Sequence, residues 1–176
     1  IILMPSMFIG GAERSLLGLL EAIDYSRYDV SLFLYRHEGE FLKYIPEKVH
    51  ILSEMPQYRT FDTPIRSLLF SRQALFGLKR LRAKAVAKFL QQRLPDIPGE
   101  YDLGIMYLGI ADTLINKVRA TNKITWNHTD YDTLFPNRAM DLETYNRLDA
   151  VVSVSADCTE KLKAFYPTLA DKAITI

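Results

Sequence analysis

The run Ile1-Ile2-Leu3-Met4, then Gly10-Gly11-Ala12-Glu13-Arg14, then Ser15-Leu16-Leu17-Gly18-Leu19-Leu20-Glu21-Ala22-Ile23, decides how this chain is read. The unbroken apolar run predicts a strand, the paired glycines a tight loop, and the recurring leucines an amphipathic helix. Glycine has no Cβ, so the backbone of such a loop can lie close against a ligand. The first-turn amides of the helix lack intrahelical partners, and the helix dipole adds partial positive charge at the same end. A strand, a glycine loop and a helix start in that order suit a phosphate or another anion. The same glycines also fit a tight βα turn that binds nothing, and a lone Gly-Gly does not separate the two readings.

Short apolar runs alternate with helical patterns along the rest of the chain. Strands are expected at 1–4, 30–35, 49–52, 103–107, 123–126 and 150–154, with a last strand-like run at 173–176. Helices are expected at 13–23, 72–94, 111–119, 138–148 and 156–165. Most of the strand runs are apolar throughout, as in strands covered on both faces. Strands alternating with helices predict an α/β fold with a Rossmann-like, doubly wound parallel sheet and right-handed crossovers. The segment 54–61, which contains Pro56, Gln57 and Tyr58, is expected to be a mobile loop. Both ends fall inside strand-like runs, so the chain is expected to be one domain cut from a longer protein.

Composition narrows the class further. At 176 residues with 48% hydrophobic and 24% charged side chains, the chain can bury one sizeable core and is not disordered in bulk. A net charge of +1 argues against a dedicated nucleic-acid binder. The single Cys158 excludes an internal disulfide, fits a reducing compartment, and reads as a small apolar filler on a helix. No apolar run approaches the roughly 18 residues of a membrane span. Three widely separated histidines, His37, His50 and His128, do not make a zinc site.

In a parallel sheet, ligands collect beyond the carboxyl ends of the strands. That rule selects 5–14, Asn127-His128-Thr129-Asp130-Tyr131-Asp132, and Ser153-Val154-Ser155 with Ala156-Asp157. A histidine at a strand end donates or accepts a hydrogen bond near neutral pH, which suits a sugar hydroxyl. His128 also fits a structural histidine bonded to a neighbouring loop.

With these segments in view, the chain resembles the N-terminal domain of a GT-B fold glycosyltransferase of family 4. The resemblance rests on Gly10-Gly11-Ala12-Glu13-Arg14-Ser15-Leu16-Leu17, on Trp126-Asn127-His128-Thr129-Asp130, and on Asp149-Ala150-Val151-Val152-Ser153-Val154-Ser155. Lys161-Leu162-Lys163-Ala164-Phe165-Tyr166-Pro167 follows, as in many members. The resemblance implies two Rossmann-like domains facing across a cleft, this one on the acceptor side and an absent C-terminal one holding a nucleotide-sugar donor. It implies that Gly10 and Gly11 approach the donor diphosphate and that His128 contacts the transferred sugar as the catalytic residue. Asp130 and Ser155 would line the cleft. The reaction implied is transfer of a sugar to a polysaccharide or glycolipid acceptor with retention at the anomeric carbon. No metal or other cofactor is expected, because helix-end amides and basic groups stabilise the leaving diphosphate. A fragment of this kind is expected to be inactive alone, and to work in the cytoplasm or peripherally on the cytoplasmic membrane face.

Competing readings remain at this level. Asp130-Tyr131-Asp132 is an Asp-x-Asp triplet of the kind that holds a divalent metal in GT-A glycosyltransferases. A non-catalytic Rossmann-like binding or interaction domain is the alternative from another class. Dinucleotide oxidoreduction is disfavoured, since Gly-x-Gly-x-x-Gly is missing after the first strand. The segment 72–94 places Leu78, Leu81, Ala85, Val86 and Phe89 on one helical face, with Lys79, Arg80, Lys84 and Lys88 away from it. It reads either as a solvated basic surface, or as a helix that leans on anionic lipid or receives a lipid-linked acceptor. Nucleic acid is not indicated, since no aromatic platform interleaves these charges.

Overall fold

A computed structural model describes residues 1–61, 92–109, 111–128 and 138–176. Within them the chain runs β1 (Ile2–Met4), α1 (Gly11–Ala22), β2 (Ser31–Leu34), β3 (His50–Ile51), α2 (Pro56–Phe61) and β4 (Glu100–Met106). It continues through α3 (Ala111–Lys117), β5 (Arg119–Asn127), α4 (Arg138–Asn146), β6 (Ala150–Ser153), α5 (Ala156–Phe165) and β7 (Ala173–Thr175). The strands form a seven-stranded sheet in the order β3-β2-β1-β4-β5-β6-β7, and every pairing is parallel. The fold is α/β, a Rossmann-like doubly wound sheet.

Side chains alternate across the pleat and sort into two cores. Ile2, Met4, Leu32 and Leu34 join Leu16, Leu17 and Leu20 of α1 on one face. Leu3, Phe33 and Val151 join Leu114, Leu148 and Leu162 from α3 to α5 on the other. Leu16 and Leu20 are fully buried, and each such side chain contributes about 2 kcal/mol of transfer free energy. This division explains why the central strands lack polar alternation: both faces are covered.

Two expectations are corrected. Residues 54–61 are not a loop throughout, because Pro56 opens the short helix α2. Proline suits a first helical turn, where its missing N–H costs nothing. Tyr58 anchors that helix: it is fully buried, packs 5.0 Å from the Phe33 ring and donates its hydroxyl to the Pro95 carbonyl at 2.7 Å. The strand expected at 123–126 begins at Arg119, where the helical expectation for 111–119 still ran. Arg119, Ala120 and Asn122 pair with Glu100, Tyr101 and Leu103 of β4. That part of the ladder is largely exposed, so its residues carry no apolar signal. The expected helix at 72–94 lies mainly outside the described residues, as do Lys79, Arg80, Lys84 and Lys88.

The loop after β1 is held from the side by the segment after β2. The Met7 amide donates to the Glu38 carbonyl at 2.9 Å, and the Phe41 amide donates to the Met7 carbonyl at 2.9 Å. Gly39 lies between them with φ of 117°, and a Cβ there would collide with the Met7 carbonyl group and the Phe8 nitrogen. Only glycine fits both the angle and the space. Replacing Gly39 with Ala should cost on the order of 2 kcal/mol, by backbone strain together with displacement of the loop. Urea unfolding measures this, and an unchanged midpoint would contradict the brace.

Candidate functional site

Strand order reverses between β1 and β4, so the chains leaving their carboxyl ends turn to opposite sides of the sheet and leave a crevice. One wall is the 5–10 loop leading into α1. Met7 is fully buried and fixes the loop from below, while Phe8 and Ile9 project from its tip. The Arg36 guanidinium lies 5.6 Å from the centre of the Phe8 ring. Arg36 stands 3.6 Å from Glu38, and Arg59 pairs with both Glu38 and Glu54. The rim on this side is therefore charge-balanced and does not act as a cationic cradle.

The paired glycines behave differently from each other. Gly10 is the N-cap of α1 and has φ of −162°, ordinary extended backbone. Its lack of a side chain makes room for the Glu13 carboxylate, which folds back over it. A carboxylate in the first turn is favoured by the helix dipole. Gly11 is the first residue of the helix, and a Cβ built there would meet nothing within 4 Å. Open space thus lies beside the first turn of a twelve-residue helix.

The other wall comes from β4 and β5. Tyr107, the first residue after β4, is almost wholly buried. Its ring centre lies 5.1 Å from that of Trp126 and 4.8 Å from that of His128. Its hydroxyl is 2.8 Å from Ser15 Oγ, one helical turn beyond Gly11 on α1. His128, the first residue after β5, is half-buried, and its buried Nε2 has no hydrogen-bond partner among the described residues. Burial pushes its pKa below the ordinary histidine value, opposed in part by a hydrogen bond with the Tyr107 backbone and by the Glu13 carboxylate. Burial thus favours the neutral imidazole.

The structure brings Gly10, Gly11 and His128 to the same sheet edge and adds Glu13, Ser15 and Tyr107. Ser15 stands four residues after Gly11, which puts the two on one helix face, a signal present in the sequence. Tyr107 carried no such signal, because strand order places β4 beside β1. Ser155 lies at the expected strand end, and its hydroxyl caps α5 by accepting from the Cys158 amide at 3.2 Å. Cys158 is buried on that helix, as expected for a filler. Asp130 and Asp132 lie outside the described residues. No group of three His, Cys, Asp or Glu side chains gathers among the described residues.

Two cations elsewhere have settled partners. Lys123 Nζ donates to the Ile115 carbonyl at 2.9 Å, and Lys172 Nζ donates to the Asn146 and Leu148 carbonyls at 2.9 and 2.7 Å. Both close helix ends at the opposite edge of the sheet. Among the described residues, no helix is long and apolar enough to cross a membrane. No protein-family model matches this chain, and no curated protein matches it.

The open space over Gly11 makes a direct prediction. Gly11→Val should fold normally, since its branches meet no neighbour and valine tolerates a helix better than glycine. The same branches would fill the space beside the first-turn amides. If this face of the helix receives the phosphates of a nucleoside diphosphate, the intact protein's affinity for one, measured by calorimetry, should fall about tenfold or more, the scale of one lost charge-assisted hydrogen bond. Unchanged affinity in a folded Gly11→Val protein would exclude this face of the helix.

Proposed function

We propose that this chain is the acceptor-side domain of a retaining GT-B fold glycosyltransferase of the family 4 type. The observation that carries the proposal is that open space over Gly11 and a buried, unpartnered Nε2 on His128 occur at the same carboxyl edge of the sheet, where strand order reverses. The sequence resemblance in the segments 10–17, 126–130 and 149–155 supplies the reaction class. The substrates are a nucleotide-sugar donor and a polysaccharide or lipid-linked acceptor, handled at the cytoplasmic face of a membrane.

In this proposal the amides at the start of α1 face the donor diphosphate and stabilise charge as it develops on the leaving group. The neutral imidazole of His128 holds a hydroxyl of the transferred sugar through Nε2 and orients the anomeric carbon toward the acceptor. Glu13, folded over Gly10, keeps the cleft from carrying net positive charge. Breaking the bond between sugar and diphosphate, and forming the new one on the same face, needs no covalent nucleophile from the described residues. The second domain supplies the remaining donor contacts, and the basic segment 72–94 draws the protein to anionic lipid.

His128→Ala tests the assignment. If its contacts strengthen in the transition state, losing them lowers turnover more than substrate binding. The intact enzyme should lose about one to three orders of magnitude in kcat, the scale of one or two positioned hydrogen bonds, with little change in Tm. A large fall in Tm with near-normal turnover in the folded fraction would make His128 structural. Binding of nucleotide-sugar with no turnover by the wild type would leave a binding domain.

A further inference from the structure

We infer that Tyr107 is the positioning residue for His128, and that the Ser15 hydroxyl holds Tyr107 in place, so that the glycine-loop helix and the imidazole are tied into one unit. The inference rests on the proposed function only for its consequence in turnover.

His128 is the first residue beyond the β5 ladder, where backbone pairing no longer sets the direction of a side chain. What faces its ring is Tyr107, at 4.8 Å between ring centres and an interplanar angle of 47°. The imidazole also donates a hydrogen bond to the Tyr107 backbone. One residue thus fixes the histidine through both its ring and its main chain. Trp126 also packs on the Tyr107 ring, at 5.1 Å between ring centres.

Tyr107 is in turn held at its far end. Its phenol reaches out of the apolar cluster to Ser15 Oγ at 2.8 Å, and Ser15 belongs to α1. A buried phenol keeps a fixed direction when its hydroxyl has a partner. Without Ser15, the ring retains its apolar neighbours and loses its only described hydrogen bond. Ser15 has no ring or charge to offer His128 and acts through Tyr107. Displacement of α1 at the glycine loop would reach the imidazole by the same route.

The charged group bearing on His128 among the described residues is Glu13 of α1, and the test leaves it untouched. Histidine side chains of the intact protein, isotopically labelled, are titrated by NMR in the wild type and in Ser15→Ala, Ser15→Thr, Tyr107→Phe and the Ser15→Ala/Tyr107→Phe double variant. Loss of the tie lets water reach the ring, so the His128 midpoint should rise in Ser15→Ala and in Tyr107→Phe. Ser15→Thr, which keeps the hydroxyl, should restore the wild-type curve. The double variant should match either single one, since all three lose the same bond. Turnover should fall about tenfold in Ser15→Ala with donor KM unchanged, as for a misplaced group.

An unchanged His128 titration in a folded Ser15→Ala protein would overturn the inference, as would additive shifts in the double variant or failure of threonine to restore the curve. The titration is read without substrate. A shifted midpoint in a protein that transfers no sugar therefore supports the positioning role and defeats the proposed function.

Discussion

Everything at the cleft depends on β1, a strand of three residues held by parallel ladders on both sides. Ile2, Leu3 and Met4 align with Leu32, Phe33 and Leu34 of β2, and Ile2 and Leu3 align with Ile105 and Met106 of β4. The pairing runs past the strand ends, since Arg36 donates to the Pro5 carbonyl and Tyr107 donates to the Leu3 carbonyl. The glycine loop and Tyr107 therefore leave the sheet from fixed points on adjacent strands. Gly39 then sets the height of the loop by lying against Met7 and Phe8. A short strand suffices because its backbone is saturated on both edges and its three side chains are buried.

The electrostatics of the crevice follow from this packing. A ring half withdrawn from water prefers its neutral form, and a neutral imidazole leaves one nitrogen as an acceptor. A buried polar atom without a partner costs about 1–3 kcal/mol, so Nε2 of His128 favours any ligand hydroxyl that reaches it. The exposed ion pairs around Arg59 are worth far less, on the order of 0–1 kcal/mol each, and serve to close the rim. Two lysines at the other end of the sheet are spent on backbone carbonyls at or just past helix ends. The asymmetry leaves unused polar capacity at the carboxyl edge.

Much of the architecture was legible in the residues. Unbroken apolar runs marked strands covered on both faces, and Leu16, Leu17 and Leu20 marked the buried stripe of α1. The first half of β5 was not legible, because Arg119 to Asn122 lie in an exposed stretch of ladder where hydrophobic period says nothing. Residues 56–61 were misread because punctuation by proline looks alike in a loop and at a helix start. Gly10 and Gly11 marked the loop before α1, yet the left-handed glycine that braces that loop is Gly39, twenty-eight residues beyond Gly11, brought there by the β1–β2 pairing. Ser15 and Tyr107 meet only once strand order is known, and no local pattern encodes that order. Asp130, Asp132 and the basic segment lie beyond what the described residues address.

The central claim is that the edge of the sheet between β1 and β5 receives the diphosphate and sugar of a donor. Amide and histidine NMR shifts of the isotopically labelled intact protein, followed while nucleoside diphosphates and their sugar conjugates are added, test it most directly. The account predicts that the largest changes fall on the amides of Gly10, Gly11 and Ala12, with His128 responding only when the sugar is present. Shifts gathered instead around Lys123 and Lys172 at the opposite edge, or a His128 signal indifferent to the sugar, would contradict it.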